Sequence, residues 1–341
     1  MFSYMLEHYL DFVTINWFTV ITTLIVVMII LNLSTGILEE QLSLIWKKIK
    51  IPASVRGATF DAVSSSLPEF LTSLAGLLLL KEKWLEVGIW TIWGSAIFNI
   101  LIIPALVLLF YKWRQIRIET KGVKRDVVFY VLSILILLAW LYFNQLFWMW
   151  IALMITYAGY IFYLYKHSLE HRKNNAQEIQ DAYDEVKDEK INYFKILISL
   201  VLIYIWVEAS VKAAERIGHQ LGISMLVVSL VLLAGMTSIP DTLLSIKASK
   251  KWDIDAGLSN AVGSNIFDIC IGLWIPILIG VGLMKLHPEV NFSANAGVFV
   301  FLIISTIIYF VILHKKNLTK QDWYWLLALY VLFIVYLAWI S

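Results

Sequence analysis

A single cysteine, Cys270, leaves this chain of 341 residues without the means to form an internal disulfide or a cysteine-based metal centre. Its six histidines (His8, His167, His171, His219, His287 and His314) all lie near loops, so haem or zinc held inside an apolar segment is not expected. No G-x-x-x-x-G-K-[ST] phosphate loop occurs, which argues against ATP hydrolysis by this chain. The first ten residues hold Glu7 and no lysine or arginine, whereas a cleavable signal needs a basic start, so none is expected. Charge is also scarce: 15% of the residues are Asp, Glu, Lys or Arg, and the formal net charge is +2. That total says little about partners, and no nucleic-acid partner is expected.

Apolar residues take the place of the missing charge. Sixty per cent of the chain is hydrophobic, well above a soluble globule, so the sequence reads as an all-α polytopic membrane protein. Long apolar runs predict about ten transmembrane helices, near 13–37, 56–80, 87–111, 126–144, 146–166, 196–217, 222–246, 256–284, 295–313 and 321–340. Of the 27 basic residues, all except Lys81, Lys83, Lys212, Arg216 and Lys285 fall in alternate loops on one side of this map. Positive loops stay in the cytoplasm, so both termini are expected outside. A polar stretch with mixed charges, 167–195, separates 1–166 from 196–341 and reads as a cytoplasmic connection containing a solvated helix. The protein is thus expected to be a multi-pass protein of the cell (plasma or inner) membrane, surrounded by lipid. Its oligomeric state is not legible.

Each half contains the same phrases. GATFDAVSSSLPEFLTSLAG and GIWTIWGSAIFNILIIPAL, within about 57–104, are echoed by SLVLLAGMTSIPDTLLSIKAS and AGLSNAVGSNIFDICIGLWIP, within about 229–276. Glu69 aligns with Asp241, Ser95 with Ser264, and Asn99 with Asp268. A repeat that returns after five spans enters the membrane from the opposite side. The halves are therefore expected to be two inverted five-helix repeats, an architecture with its binding site near the midplane.

The repeated phrases point to cation chemistry. Proline inside a helix frees a carbonyl, which a membrane tolerates only where it lines a cavity or finds a partner. Ser65 and Glu69, Thr237 and Asp241, Ser95 and Asn99, and Ser264 and Asp268 are all i, i+4 pairs, so each would share a helix face. These residues offer hydroxyl, carbonyl and carboxyl oxygens and no nitrogen or sulfur ligand. That set suits Ca²⁺ above Mg²⁺, or Na⁺ and K⁺. An acid at the bilayer centre costs at least ~2.5 kcal/mol, so Glu69, Asp241 and Asp268 each ask for a role. Asp61, about 12 Å from Glu69 at 1.5 Å of rise per residue, is expected to have a vestibule or interfacial role. Glu208 and Lys212 read as a structural i, i+4 ion pair.

These motifs resemble the α-repeats of the cation/Ca²⁺ exchanger superfamily. SSxPE, GSAIFNIL, TSxPD and SNxVGSNIFDI are most similar to the K⁺-dependent Na⁺/Ca²⁺ exchangers. The resemblance implies a secondary antiporter, not an enzyme, that exchanges Ca²⁺ for Na⁺ with K⁺ co-transport and no cofactor. It makes Glu69 and Asp241 the central Ca²⁺/Na⁺ carboxylates, with Ser65, Ser66, Thr237 and Ser238 adding oxygens and Ala62 and Ala234 adding carbonyls. Ser95, Asn99, Ser264 and Asp268 complete the set, and Asp268 occupies the position associated with K⁺ coupling. The sequence departs from the family pattern where Ser64 and Met236 replace glycine before the paired hydroxyls, and where Trp90 and Trp93 flank the first G-S phrase.

Two other readings stand beside this one. A Ca²⁺/H⁺ or other cation/cation exchanger would use the same acids. An intramembrane aspartyl protease could pair Asp241 with Asp268, but SNIFDIC is not a G-x-G-D-like setting and the first repeat would go unexplained.

Overall fold

The computed structural model of the protein describes residues 17–51, 59, 62–80, 84–110, 115–116, 121–143, 146–174, 176–250, 254–286, 296–315, 318–319 and 321–340. Its elements follow in order: α1 (Trp17–Lys48), α2 (Ala62–Ser65), α3 (Leu67–Leu80), α4 (Trp84–Phe110), β1 (Gln115–Ile116), α5 (Lys121–Phe143), α6 (Leu146–Asn174), α7 (Ala176–Val186) and α8 (Tyr193–Leu221). Then come α9 (Met225–Thr237), α10 (Ile239–Lys250), α11 (Ile254–Phe267), α12 (Ala296–Leu313), β2 (Leu318–Thr319) and α13 (Asp322–Ile340). The helical path of α11 continues through π-helical Asp268–Gly272, α-helical Trp274–Ile277 and π-helical Leu278–Leu283. Helix α9 contains a π-helical stretch of its own, Val228–Leu233.

Among the described residues, seven helices are long and apolar enough to cross a membrane, or eight if α9 and α10, bent by 42° at their junction, form one span. The expected second span, 56–80, is interrupted at Ser66 and lies partly outside the described residues. The expected fourth and fifth spans fall on separate helices, α5 and α6; α6 is one of the seven, whereas α5, with Lys124, Arg125 and Asp126 near its start, is not.

Burial runs opposite to that of a soluble globule. Ile25, Ile29, Leu33, Val128, Leu135, Ile307, Val335 and Trp339 are exposed, whereas Glu69, Asp241, Asp268 and a series of serines, threonines and asparagines are buried. Apolar side chains can face lipid without cost, but polar groups must find partners inside. Helix α4 is the extreme case, with every residue from Val87 to Ile97 buried among other helices.

Packing sorts the helices into two groups. Val27, Leu31 and Leu38 of α1 meet Ile203 and Val207 of α8, with Ala75 of α3 and Met236 of α9 joining the same cluster. A larger core gathers α4 with α5, α6 and α11 to α13. Trp93 belongs to that core, edge-on to Phe299 of α12 at 3.8 Å and to Trp90 at 5.0 Å. On the basic-loop side, β1 pairs antiparallel with β2, Gln115 opposite Thr319, and ties the two halves together.

Most of the connecting segment 167–195 is helical, since α6 runs on to Asn174 and α7 follows. It is also docked. Lys47 pairs with Glu185, Lys50 Nζ donates to Gln180 Oε1 at 2.9 Å, and Lys48 Nζ donates to the Lys187 carbonyl at 3.0 Å. Asn192 caps α8 through Lys195 N at 3.0 Å, and its own N–H donates to Gln41 of α1 at 2.8 Å. Glu208 and Lys212 form the expected ion pair at 3.1 Å.

Candidate cation site

Both central acids stand at helix starts. Ser66 bends the chain between α2 and α3, and Ser238 (φ −80°, ψ 1°) does the same between α9 and α10. Pro68 and Pro240 are the second residues of the new helices, where a missing N–H leaves no intrahelical bond broken. The prolines therefore restart the helix after a break, where sequence reasoning placed them within a continuous one. The restart sets Glu69 and Asp241 in first helical turns, where the helix dipole favours negative charge.

Every residue singled out from the sequence as a ligand is buried: Ala62, Ser65, Ser66, Glu69, Ser95, Asn99, Ala234, Thr237, Ser238, Asp241, Ser264 and Asp268. Ser95 Oγ lies 3.3 Å from Glu69 Oε1 and 2.8 Å from Ser238 Oγ, and Ser238 Oγ is 3.1 Å from the same carboxylate oxygen. Two hydroxyl protons can fill only two of the three edges of this triangle, so one edge is two oxygens with no proton between them. Around Asp241, Ser264 Oγ donates to Oδ1 at 2.8 Å and Asn99 Nδ2 donates to Oδ2 at 3.1 Å.

The hydroxyls expected to face Glu69 and Asp241 lean back on their own turns: Ser65 Oγ donates to the Ala62 carbonyl at 3.4 Å, and Thr237 Oγ1 donates to the Leu233 and Ala234 carbonyls at 3.0 and 3.3 Å. The breaks at Ser66 and Ser238 reset the helical phase, so i, i+4 spacing across them no longer defines one face. The carbonyls of Ala62 and Ala234 accept from Ser66 N at 2.9 Å and Ser238 N at 3.0 Å, with hydroxyls of Ser65 and Thr237 also directed at them.

Asp268 stands apart. It opens a π-helical stretch, its carbonyl accepting from Leu273 N at 3.0 Å, and it is near enough to Glu69 and Asp241 for the charges to interact. Both its carboxylate oxygens are buried without a hydrogen-bond partner, as are Glu69 Oε2, Asn99 Oδ1 and Ser66 Oγ. Among the described residues, no group of three or more His, Cys, Asp or Glu side chains gathers closely enough to hold a metal. The oxygens here are therefore a mixed set of carboxylate, amide and hydroxyl. Buried polar atoms left bare cost about 1–3 kcal/mol each, and a desolvated cation is a partner that acceptor oxygens can share.

Two residues escaped sequence reasoning. Asn265 accepts from Asn99 at 3.1 Å and donates to the Ala96 carbonyl at 3.1 Å, and Asn260 donates to Ser245 Oγ at 3.1 Å. The signal for Asn265 was the second asparagine in SNAVGSN, where the first repeat has Ala96. Asp61 lies outside the described residues.

Glycines bring the helices together. A Cβ on Gly94 would meet the Leu230 carbonyl oxygen at 2.2 Å, so α4 crosses α9 at backbone contact. A Cβ on Gly88 would meet Ser73 Oγ at 3.1 Å, and one on Gly257 would meet the Ser245 carbonyl oxygen at 2.8 Å. A cavity of about 380 Å³ reaches from Glu39, Glu40 and Lys247 inward to Ser64, Ser65 and Pro240. Trp93, which flanks the first G-S phrase, is packed against α12.

A family model described as sodium/calcium exchanger protein matches residues 19–166 and 191–341. The mouse sodium/potassium/calcium exchanger 4 is 38% identical over 123 residues, 36% of this chain and 19% of that protein. The mouse sodium/potassium/calcium exchanger 1 is 34% identical over 158 residues, 45% of this chain and 14% of that protein. The match thus spans less than a fifth of those relatives. Among solved structures, the sodium-calcium exchanger NCX_Mj superposes with a TM-score of 0.62 at 22% identity, covering 93% of this chain and 97% of that one. The H⁺/Ca²⁺ exchanger CAX gives 0.69 at 14% identity, covering 94% and 82%. Both structures share the fold.

Proposed function

Because the chain belongs to the sodium/calcium exchanger protein family, and so is a multi-pass membrane transporter and not an enzyme, we propose that it exchanges Ca²⁺ for Na⁺ with K⁺ co-transport. In this reading it works by alternating access around Glu69, Asp241 and Asp268. The observation that carries the proposal is the set of bare buried oxygens, Glu69 Oε2, Asn99 Oδ1 and both of Asp268, gathered from both halves of the chain. Such oxygens suit Ca²⁺ and Na⁺, and nitrogen and sulfur ligands are missing from the network. Three carboxylates offer −3 and one Ca²⁺ supplies +2, which leaves room for one monovalent cation at Asp268.

Repeat-related contacts support a duplicated arrangement of 1–166 and 196–341, joined by 167–195; that the halves are inverted five-helix units, with ten spans and both termini outside, is part of the proposal. Ser95 donates to Glu69 as Ser264 does to Asp241, and Gly88 approaches Ser73 as Gly257 approaches Ser245. The cavity between Glu39 and Lys247 supplies a route to Ser65 from the side of the basic loops, which is the cytoplasmic side in this topology.

Flux into proteoliposomes tests the proposal, with Na⁺, K⁺ and pH gradients imposed separately and no ATP present. An outward Na⁺ gradient should drive Ca²⁺ uptake, and external K⁺ should raise it. Uptake that follows the pH gradient and ignores Na⁺ would replace this reading with Ca²⁺/H⁺ exchange.

A further inference from the structure

The amide contacts behind the two acids have one consistent arrangement. Asn265 Nδ2 donates to the Ala96 carbonyl at 3.1 Å, and a carbonyl only accepts, so Asn265 Oδ1 is turned towards Asn99. That oxygen requires a donor, and Asn99 Nδ2 supplies it at 3.1 Å while also donating to Asp241 Oδ2 at 3.1 Å. Asn99 Oδ1 is thereby left on the other side of the amide, buried and without a partner.

The position of Asn265 is itself unusual. It occupies the third place of GSNIFDI, and the third place of GSAIFNI is Ala96, the residue whose carbonyl it contacts. The two equivalent residues of the repeat thus face each other, and only one has a polar side chain. The asymmetry directs the amide of Asn99, from the first half, towards the acid of the second.

We infer that Asn265 is a positioning residue for the cation site, holding the Asn99 amide so that Oδ1 is presented to the ion whatever the state of Asp241. The inference rests on the proposed reading of the site as cation-binding. Asp241 makes the same demand on Asn99 only while its Oδ2 is free to accept. A cation that draws on Oδ2 weakens that demand, whereas the neutral oxygen of Asn265 stays anchored through Ala96. Without Asn265 the amide can turn, and a turned Asn99 directs N–H groups at the cation and withdraws a ligand.

The test is a double-mutant cycle on the purified full-length chain, with Ca²⁺ binding and Na⁺ competition measured by calorimetry. Asn265→Ala should weaken Ca²⁺ binding roughly tenfold, equivalent to ~1.4 kcal/mol. Asn99→Ala should weaken it at least as much. If Asn265 acts through Asn99, adding Asn265→Ala to Asn99→Ala should change the affinity less than about twofold, since residues coupled in one contact are not additive. A merely structural role would instead lower the melting temperature of the cation-free protein and weaken binding equally in both backgrounds. Asn265→Leu, which keeps volume without hydrogen bonds, should match Asn265→Ala and guards against a packing artefact. Wild-type affinity in Asn265→Ala, or full additivity in the cycle, overturns the inference. A wild type that binds Ca²⁺ competitively with Na⁺ but shows no exchange in vesicles sinks the proposed transport and leaves this inference standing. A wild type that binds neither cation removes both.

Discussion

Replacing Gly94 by alanine should disable the site without replacing any ligand. The new Cβ would stand 2.2 Å from the Leu230 carbonyl oxygen and 2.7 Å from Ala234 Cβ, whereas real Cβ contacts essentially never fall below 3.0 Å. Backbone atoms cannot rotate away, so α4 and α9 must separate by about 0.8 Å. The next residue, Ser95, makes its 2.8 Å contact to Ser238 across the same seam, and that separation stretches it to about 3.6 Å, beyond hydrogen-bond range. Overpacking costs about 1–3 kcal/mol and the lost hydrogen bond about 0.5–1.5 kcal/mol, for a total of roughly 1.5–4.5 kcal/mol. The check is thermal unfolding in detergent together with Ca²⁺ flux in proteoliposomes: the melting point should fall and flux should drop by more than tenfold. Gly235→Ala supplies the control, because nothing lies within 4 Å of its Cβ position, and it should melt and transport as wild type. Wild-type melting and flux in Gly94→Ala would refute the claim that α4 and α9 meet at backbone contact.

Further expectations concern charge. Glu69→Gln and Asp241→Asn should each abolish Ca²⁺ flux while leaving a folded protein of unchanged elution volume, because an amide cannot supply the charge that a desolvated divalent ion needs; near-normal flux would show the acids to be structural. Asp268→Asn should fold well, since Asn99 holds the equivalent place in the first half, and should exchange Ca²⁺ with much weaker dependence on K⁺. A wild type whose flux is flat across a K⁺ titration would refute the coupling role of Asp268. Lys247→Gln removes a cation paired with Glu39 at 3.4 Å beside the cavity, so initial uptake from that side should rise at low ionic strength and the gain should fade at high salt. An equal rate at low salt would count against that route.

Sequence alone determined what depends on local pattern and on one repeat. Apolar runs and the one-sided placement of lysine and arginine were enough for a polytopic helical protein, because length and hydrophobicity decide what a bilayer accepts. The duplicated SSLPE/TSIPD and GSAIFNI/GSNIFDI phrases marked the buried acids Glu69, Asp241 and Asp268 and the hydroxyls around them. Partnership was not legible. Spacing suggested that Ser65 serves Glu69, but the helix is interrupted at Ser66 between them and the Ser65 hydroxyl donates to the Ala62 carbonyl of its own turn. Asn265 looked like one more polar residue until α11 was set against α4, where it is anchored on the Ala96 carbonyl. Gly94 and Leu230 show the same division. A glycine in a helix signals freedom of approach, but which backbone approaches it is decided by how distant helices cross. Periodicity fixes which face of a helix is polar, while the relation between faces far apart in the chain is set only when all the helices pack at once.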